Sequence, residues 1–162
     1  MTLENDLKWG FLSKDRASVT EYDFSAADKM IAIVEAAQAR VRGHVLIWDT
    51  RPQSMPSGLA AAVTSPETAR AVMKNHIDTM GAHFGDRVHT FDVVNEPTLG
   101  QYGVEGPFFK QLGEDYILQA FQMARAAFPP RTKLFINEAF GGPKGENRRW
   151  KKASDPRDSY LE

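Results

Sequence analysis

Apolar residues along this chain switch between two periods. Ala27, Met30, Ile31, Val34 and Ala37 recur at helical spacing, which predicts a helix over 25–38, with Ser25 and Asp28 as a capping-box-like start. The run VRGHVLIW, 41–48, reads as a strand whose end is apolar on both faces. Such a run suits a strand held between helices on one side and a barrel interior on the other. Pro, Ser and Gly over 50–58 make a loop. Ser65-Pro66-Glu67 then opens a helix with a Ser cap, Pro at the first position and an acid in the first turn, running to about His83. Arg87 to Asn95 reads as a second strand and 100–107 as a loop. Glu114 to Phe128 is predicted helical, with Ile117, Leu118, Phe121 and Ala124 on one face, and Lys133 to Asn137 is a third strand.

Helices alternating with strands argue for parallel strands joined by helical crossovers. The loops before the strands are short and those after them longer. His44, Trp48, Asp49, Asn95, Glu96, Asn137 and Glu138 all fall at or near the C-terminal ends of the strands. That end is where α/β barrels and open α/β sheets keep their active sites. From Gly141 the periodicity stops. Residues 141–162 are Gly- and charge-rich, with Trp150, Tyr160 and Leu161 as the large apolar anchors. This stretch reads as a solvated, partly disordered tail behind a domain spanning 1–140. A loop that orders only in a longer chain is the alternative, and NRRWKK is short for an RNA-binding arm.

Composition narrows the classes. A 162-residue chain that is 42% hydrophobic and 25% charged fits one domain with a real core. A net charge of −1 supplies no global field toward nucleic acid or an anionic membrane surface. There is no cysteine, hence no disulfide and no thiolate metal site. No apolar run approaches the roughly 18 residues that span a bilayer. Met1 leads straight into TLENDLKW, polar where a signal peptide would be apolar, so no signal peptide is expected in this chain.

The strand FDVV ends in an amide, Asn95, and a carboxylate, Glu96, before Pro97. A carboxylate partly desolvated at a strand end has a raised pKa, which suits a general acid near neutral pH; a structural Asn-Glu turn is the bland alternative. Asn95 can donate to a substrate hydroxyl. Glycosidic cleavage needs a second carboxylate, for which Glu4, Asp49 and Glu138 are local candidates. Sugar binding also needs polar grips and aromatic planes. ENDLKW supplies Glu4, Asn5, Lys8 and Trp9, while RGHVLIW adds His44 and Trp48. His44, Asp49, Glu96 and Glu138 could form a mixed metal site, but no HExxH or close His pair supports it, and neither metal nor cofactor is expected. His76, His83 and His89 read as surface or packing residues.

Several of these pieces together resemble glycoside hydrolase family 10, the endo-β-1,4-xylanases built on a (β/α)8 barrel. LENDLKW resembles the family's ENxMKW motif, YDFSAAD with RGHVLIW resembles YDFxxAD with RGHxLxW, FDVVNEP resembles WDVVNE, and KLFINEAF resembles LxINDYN. The resemblance implies a partial (β/α)8 TIM barrel covering about strands two to five and lacking the last units. It makes Glu96 the acid/base of a retaining xylan hydrolase and Asn95 its orienting neighbour. Glu4, Asn5 and Lys8 resemble the grip on the glycone-side sugar, and His44 and Trp48 the lining of the cleavage-site sugar. Asn137 matches the asparagine after strand five. A secreted or periplasmic location follows from the same likeness. Asp49, Thr50 and Arg51 depart from the family's His-Ser/Asn-Gln, and Glu138, Ala139 and Phe140 from its Asp-Tyr-Asn. The family's nucleophile motif on strand seven has no match. Three expectations follow: a piece of a longer gene product, a non-catalytic truncated barrel that binds polysaccharide weakly or assembles with another chain through open sheet edges, or a substitute carboxylate such as Glu146 or Asp155.

Overall fold

The computed structural model describes residues 1–97 and 105–138, so most of the loop expected at 100–107, the tail from 141, Glu146 and Asp155 lie outside the described residues. A short helix α1 (Trp9–Leu12) precedes α2 (Ser25–Ala36), and strand β1 (Arg42–Ile47) follows. After β1 come α3 (Leu59–Ala62) and the long α4 (Pro66–Phe84), leading to β2 (Thr90–Asn95). Helices α5 (Pro107–Leu112) and α6 (Asp115–Ala127) then lead to β3 (Lys133–Asn137). The three strands pair in parallel in the order β1-β2-β3, and Thr2 adds a parallel bridge beside Arg42 at the outer edge of β1. This is the expected partial (β/α)8 arrangement.

Register explains the two faces of the sheet. Gly43, Phe91 and Leu134 form one row, and its Phe91 ring packs on Phe128 after α6, 5.2 Å between centroids. A Cβ at Gly43 would come within 2.5 Å of the Phe91 ring, so glycine is what lets this aromatic lie across β1. The next row, His44, Asp92 and Phe135, carries polar chemistry. Parallel strands buried on both faces normally lack charge, which makes this row the first sign of a site.

The α4 start forms as its sequence predicts: Ser65 Oγ accepts from the Thr68 N–H at 3.2 Å, and Thr68 Oγ1 accepts from the Ser65 N–H at 2.9 Å. The expected Ser25–Asp28 capping box does not form. Asp23 instead accepts the Ser25 N–H, while Asp28 pairs with His83 of α4 and with Arg87 just after that helix, a tertiary ion cluster that draws the carboxylate away from its own helix start. Trp9, a candidate sugar platform, is fully buried and stacked on His76 at 3.8 Å. Core packing takes the whole ring. Burial pushes the His76 imidazole down to about 3, so it is neutral, and its Nδ1 lies 3.1 Å from the Tyr22 hydroxyl.

Helix α5 was not evident in the pattern because it begins inside a Gly-Pro segment. Its start depends on Asp49, which follows β1. The Asp49 carboxylate accepts the Phe108 and Phe109 N–H groups at 3.2 and 2.8 Å, placing a negative charge on two orphan donors of the first turn. Asp49 is therefore committed to a cap rather than available as a second catalytic carboxylate. Gly106 leaves the room for it, because a Cβ there would meet the Asp49 carbonyl oxygen at 2.0 Å. Asp49→Ala should lower folding stability by about 1–2 kcal/mol, the usual cost of a lost helix cap. Urea denaturation followed by circular dichroism measures it, and an unchanged midpoint would show that the contact carries no stability.

Candidate active site

The parallel register brings the three strand ends to one side of the sheet: Trp48 after β1, Asn95 and Glu96 at the end of β2, Asn137 and Glu138 at the end of β3. The loop carrying Glu4, Asn5 and Lys8 joins them, since Lys8 interacts electrostatically with both Glu4 and Glu96. Seven of the eight predicted site residues thus gather at this end of the sheet, and the eighth, His44, lies inside β1 in the row of Asp92.

Glu96 sits where the β2 backbone leaves the sheet. Its φ is +48°, the left-handed region that a residue with a Cβ enters at a cost of about 1–3 kcal/mol. Asp15, Arg16 and Gln38 share a positive φ, but those three are exposed on connecting segments. At Glu96 two contacts hold the conformation: its N–H donates to the Asn137 carbonyl at 2.6 Å, and its carbonyl accepts from Thr50 Oγ1 at 3.2 Å. The result is a fixed backbone at a half-buried carboxyl group. Asn95, buried beside it, accepts from Asn137 Nδ2 at 2.5 Å, while its own amide nitrogen is buried without a hydrogen bond.

The carboxyl group of Glu96 is raised above its ordinary 4.5, first by burial and then by the charge of Glu138; Arg51, His44 and the Trp48 indole oppose the shift. The indole influence is a near approach, because neither Trp48 Nε1 nor Glu96 Oε2 makes a hydrogen bond of normal geometry. Among the three local carboxylates proposed as partners, Glu138 is the one that acts directly on Glu96. Glu4 is exposed and acts on Lys8.

Below this mouth lies Asp92, only 1% exposed. Its carboxylate takes Arg42 through Nε at 3.2 Å to both oxygens and through Nη2 at 2.8 Å, and takes His44 Nδ1 at 2.9 Å. A carboxylate acceptor at Nδ1 places a proton there, which leaves Nε2 as the acceptor when His44 is neutral. The His44 ring meets Trp48 edge-on, 5.5 Å between centroids. Trp48 is itself covered by two cations, Lys8 Nζ at 5.4 Å and the Arg51 guanidinium at 4.8 Å from the ring centre. Lys8 also donates to Asn5 Oδ1 at 2.9 Å. Burial, then the Arg51 charge, lowers the Lys8 ammonium, while Glu4 and Glu96 act the other way.

Asp92 and Arg51 were not among the sequence candidates. The signal for Asp92 is a lone acid inside an otherwise apolar strand, FDVV. Arg51 stands in the stretch where the sequence leaves the motif pattern, and only its neighbours in space give it a role. Among the described residues no group of three or more His, Asp or Glu is placed to hold a metal ion. No described helix is long and apolar enough to cross a membrane.

A raised carboxyl value has a stability consequence. The folded state favours the protonated form, so Glu96 costs stability as pH rises from its ordinary value through the raised one. Glu96→Gln should therefore raise the melting temperature near neutral pH. The gain should vanish below 4.5, where the carboxyl is protonated folded and unfolded alike. Melting curves of both proteins across pH provide the check; a difference independent of pH would show that ionisation of Glu96 is not the cause.

Residues 1–149 match the family model described as glycosyl hydrolase family 10. Endo-1,4-beta-xylanase B of Paenibacillus barcinonensis is 33% identical over 142 residues, covering 85% of this chain and 42% of that protein. Endo-1,4-beta-xylanase A of Fusarium oxysporum f. sp. lycopersici is 35% identical over 141 residues, covering 85% and 40%. Among solved structures, native xylanase 10B from Thermotoga maritima superposes with a TM-score of 0.73 at 31% identity, over 85% of this chain and 40% of that one. Xylanase 10B from Thermotoga petrophila, solved with xylobiose, superposes equally well at 30% identity and the same coverage. The chain thus spans 40 to 42% of the length of these relatives.

Proposed function

The chain belongs to glycosyl hydrolase family 10, and on that footing we propose that it carries the acid/base half of an endo-1,4-β-xylanase. The substrate is a β-1,4-linked polysaccharide, xylan. The carrying observation is Glu96: a half-buried carboxyl group with a raised pKa on a backbone held at φ +48° at a strand end. A carboxyl that keeps its proton toward neutral pH can donate it to the glycosidic oxygen as the C1–O bond breaks. In a retaining reaction a second carboxylate bonds C1 as the leaving oxygen departs, and the Glu96 carboxylate then takes a proton from the water that displaces that carboxylate from C1, which returns Glu96 to its starting state.

The other residues take supporting roles in this reading. Asn95 orients the sugar beside the broken bond, and Asn137 holds the Asn95 amide. Glu4, Asn5 and Lys8 grip hydroxyls on the glycone side. His44, set by Asp92, and Trp48 line the sugar at the cleavage point. No metal or cofactor enters these steps. A polymer that stays outside cells places the protein in a secreted or periplasmic setting. The domain extends over about 1–140.

One observation favours a second reading. Phe135 and Ile136 on β3 are 44% and 51% exposed, a bare apolar strand that suits assembly with another chain. Release of reducing ends from β-1,4-xylan separates the two. The hydrolase reading expects activity that Glu96→Ala lowers by roughly 10²–10⁴-fold, the range of a lost general acid/base. No activity, together with concentration-dependent association in sedimentation, would favour the assembly reading instead.

A further inference from the structure

The end of the sheet opposite Glu96 gathers cations. Register sets Arg42, Thr90 and Lys133 side by side in one row, the first residues of β1, β2 and β3. Neighbouring strands lie about 4.8 Å apart, so Arg42 and Lys133 flank the threonine with roughly 10 Å between their backbones. A barrel normally fills its inward rows with branched apolar side chains. Here Arg40, Asp86, His89 and Arg131 join the row from the segments that lead into the strands, around a cavity of about 470 Å³. Backbone hydrogen bonds fix these entrances to one another. The Val41 carbonyl accepts the His89 N–H at 3.0 Å, and the His89 carbonyl accepts the Lys133 N–H at 3.0 Å.

Charge in this cavity does not balance. Asp92 answers Arg42, and Asp86 pairs with Arg131. Arg40 and Lys133 pair with no acid among the described residues, which leaves two positive charges facing one space. Each opposes the other, and an anion between them relieves both. The geometry points to a binding site for a divalent oxyanion, a phosphate group, at the N-terminal ends of the strands. Arg40 and Lys133 match its two charges, and the Thr90 hydroxyl donates to it from the middle of the row. Asp92 takes Nε and Nη2 of Arg42, so that guanidinium is anchored along one edge and offers Nη1 from the other. The cavity is of a size that holds a small organic ligand, so the phosphate is either free or carried on a small ester. Glu96 lies at the other end of the strands, and this inference is independent of the xylan reading.

The test is a titration of the isotope-labelled chain with inorganic phosphate, followed by the amide resonances at constant ionic strength. The Thr90 and Lys133 amides should shift saturably while that of Glu96 stays in place. Sulfate should compete and chloride should not. Lys133→Gln and Arg40→Gln should each weaken phosphate binding roughly tenfold, the scale of a lost charge-assisted hydrogen bond. Lys29→Gln on α2 makes the same change of charge away from the cavity and should leave the affinity as it was. Glucose 6-phosphate distinguishes the sources: tighter binding than inorganic phosphate supports the site with an ester as its ligand, and equal binding supports it with free phosphate. Absence of saturable shifts at Thr90 and Lys133 overturns the inference, and Lys133 then serves as a charge that guards the edge strand. An equal response to chloride, or an equal loss in Lys29→Gln, also overturns it, because the effect would be general screening. Xylan hydrolysis by Lys133→Gln should match the wild-type protein, so neither outcome bears on Glu96.

Discussion

A single buried carboxylate holds the inner face of this sheet together. Asp92 lies in the middle of β2 with essentially no solvent, and it answers two basic side chains of β1, Arg42 and His44. An unpaired carboxylate there would carry a desolvation penalty of several kcal/mol, so the pairing is a condition for placing any acid in that row. Once it is made, the consequence reaches the site. The His44 ring is fixed through Nδ1, its edge against Trp48 follows, and Trp48 in turn carries Lys8 and Arg51. The polar mouth is assembled on a charge that never touches it.

The second constraint is backbone geometry at the end of β2. A strand that simply continued would send Glu96 to one face of the sheet along with its alternate neighbours. The left-handed turn breaks that alternation, and the contacts with Asn137 and Thr50 come from both neighbouring elements. Strain at one residue is thereby spread over three segments of the chain. Local strain of this kind at a single polar residue is what a site demands and a core does not.

Much of this was legible in the chain because the relevant signals are local. Helical spacing and a Ser-Pro start define α4, and apolar runs ending in polar residues define all three strands and the side on which chemistry collects. The misses have a common physical cause. Asp28 looked like a helix cap and became a tertiary ion partner; Asp49 looked like a reacting carboxylate and became the cap of a helix that starts 58 residues later at Pro107 (107 − 49). Trp9 looked like a sugar platform and became core, because its partner His76 is on the far helix α4. In each case the residue type announced a capacity, to accept or to stack, while a distant segment decided how it is used.

The same principle governs the charge balance around Glu96. Burial and Glu138 push its carboxyl up; Arg51 and His44 pull it down. These four influences come from β1, the segment after it, and the ends of β2 and β3, so no single element sets the acidity of the site. His44 is tied to Asp92 through Nδ1, which fixes its ring beside the site. Arg51 rests on Trp48, 4.8 Å from the ring centre, on the segment after β1 rather than in a strand. A change at residue 51 therefore acts on the acidity of Glu96 from outside the buried frame of Asp92, Arg42 and His44. The rigid pairing thus lies below, within the sheet, and one of the charges that tune Glu96 lies above it, outside the strands.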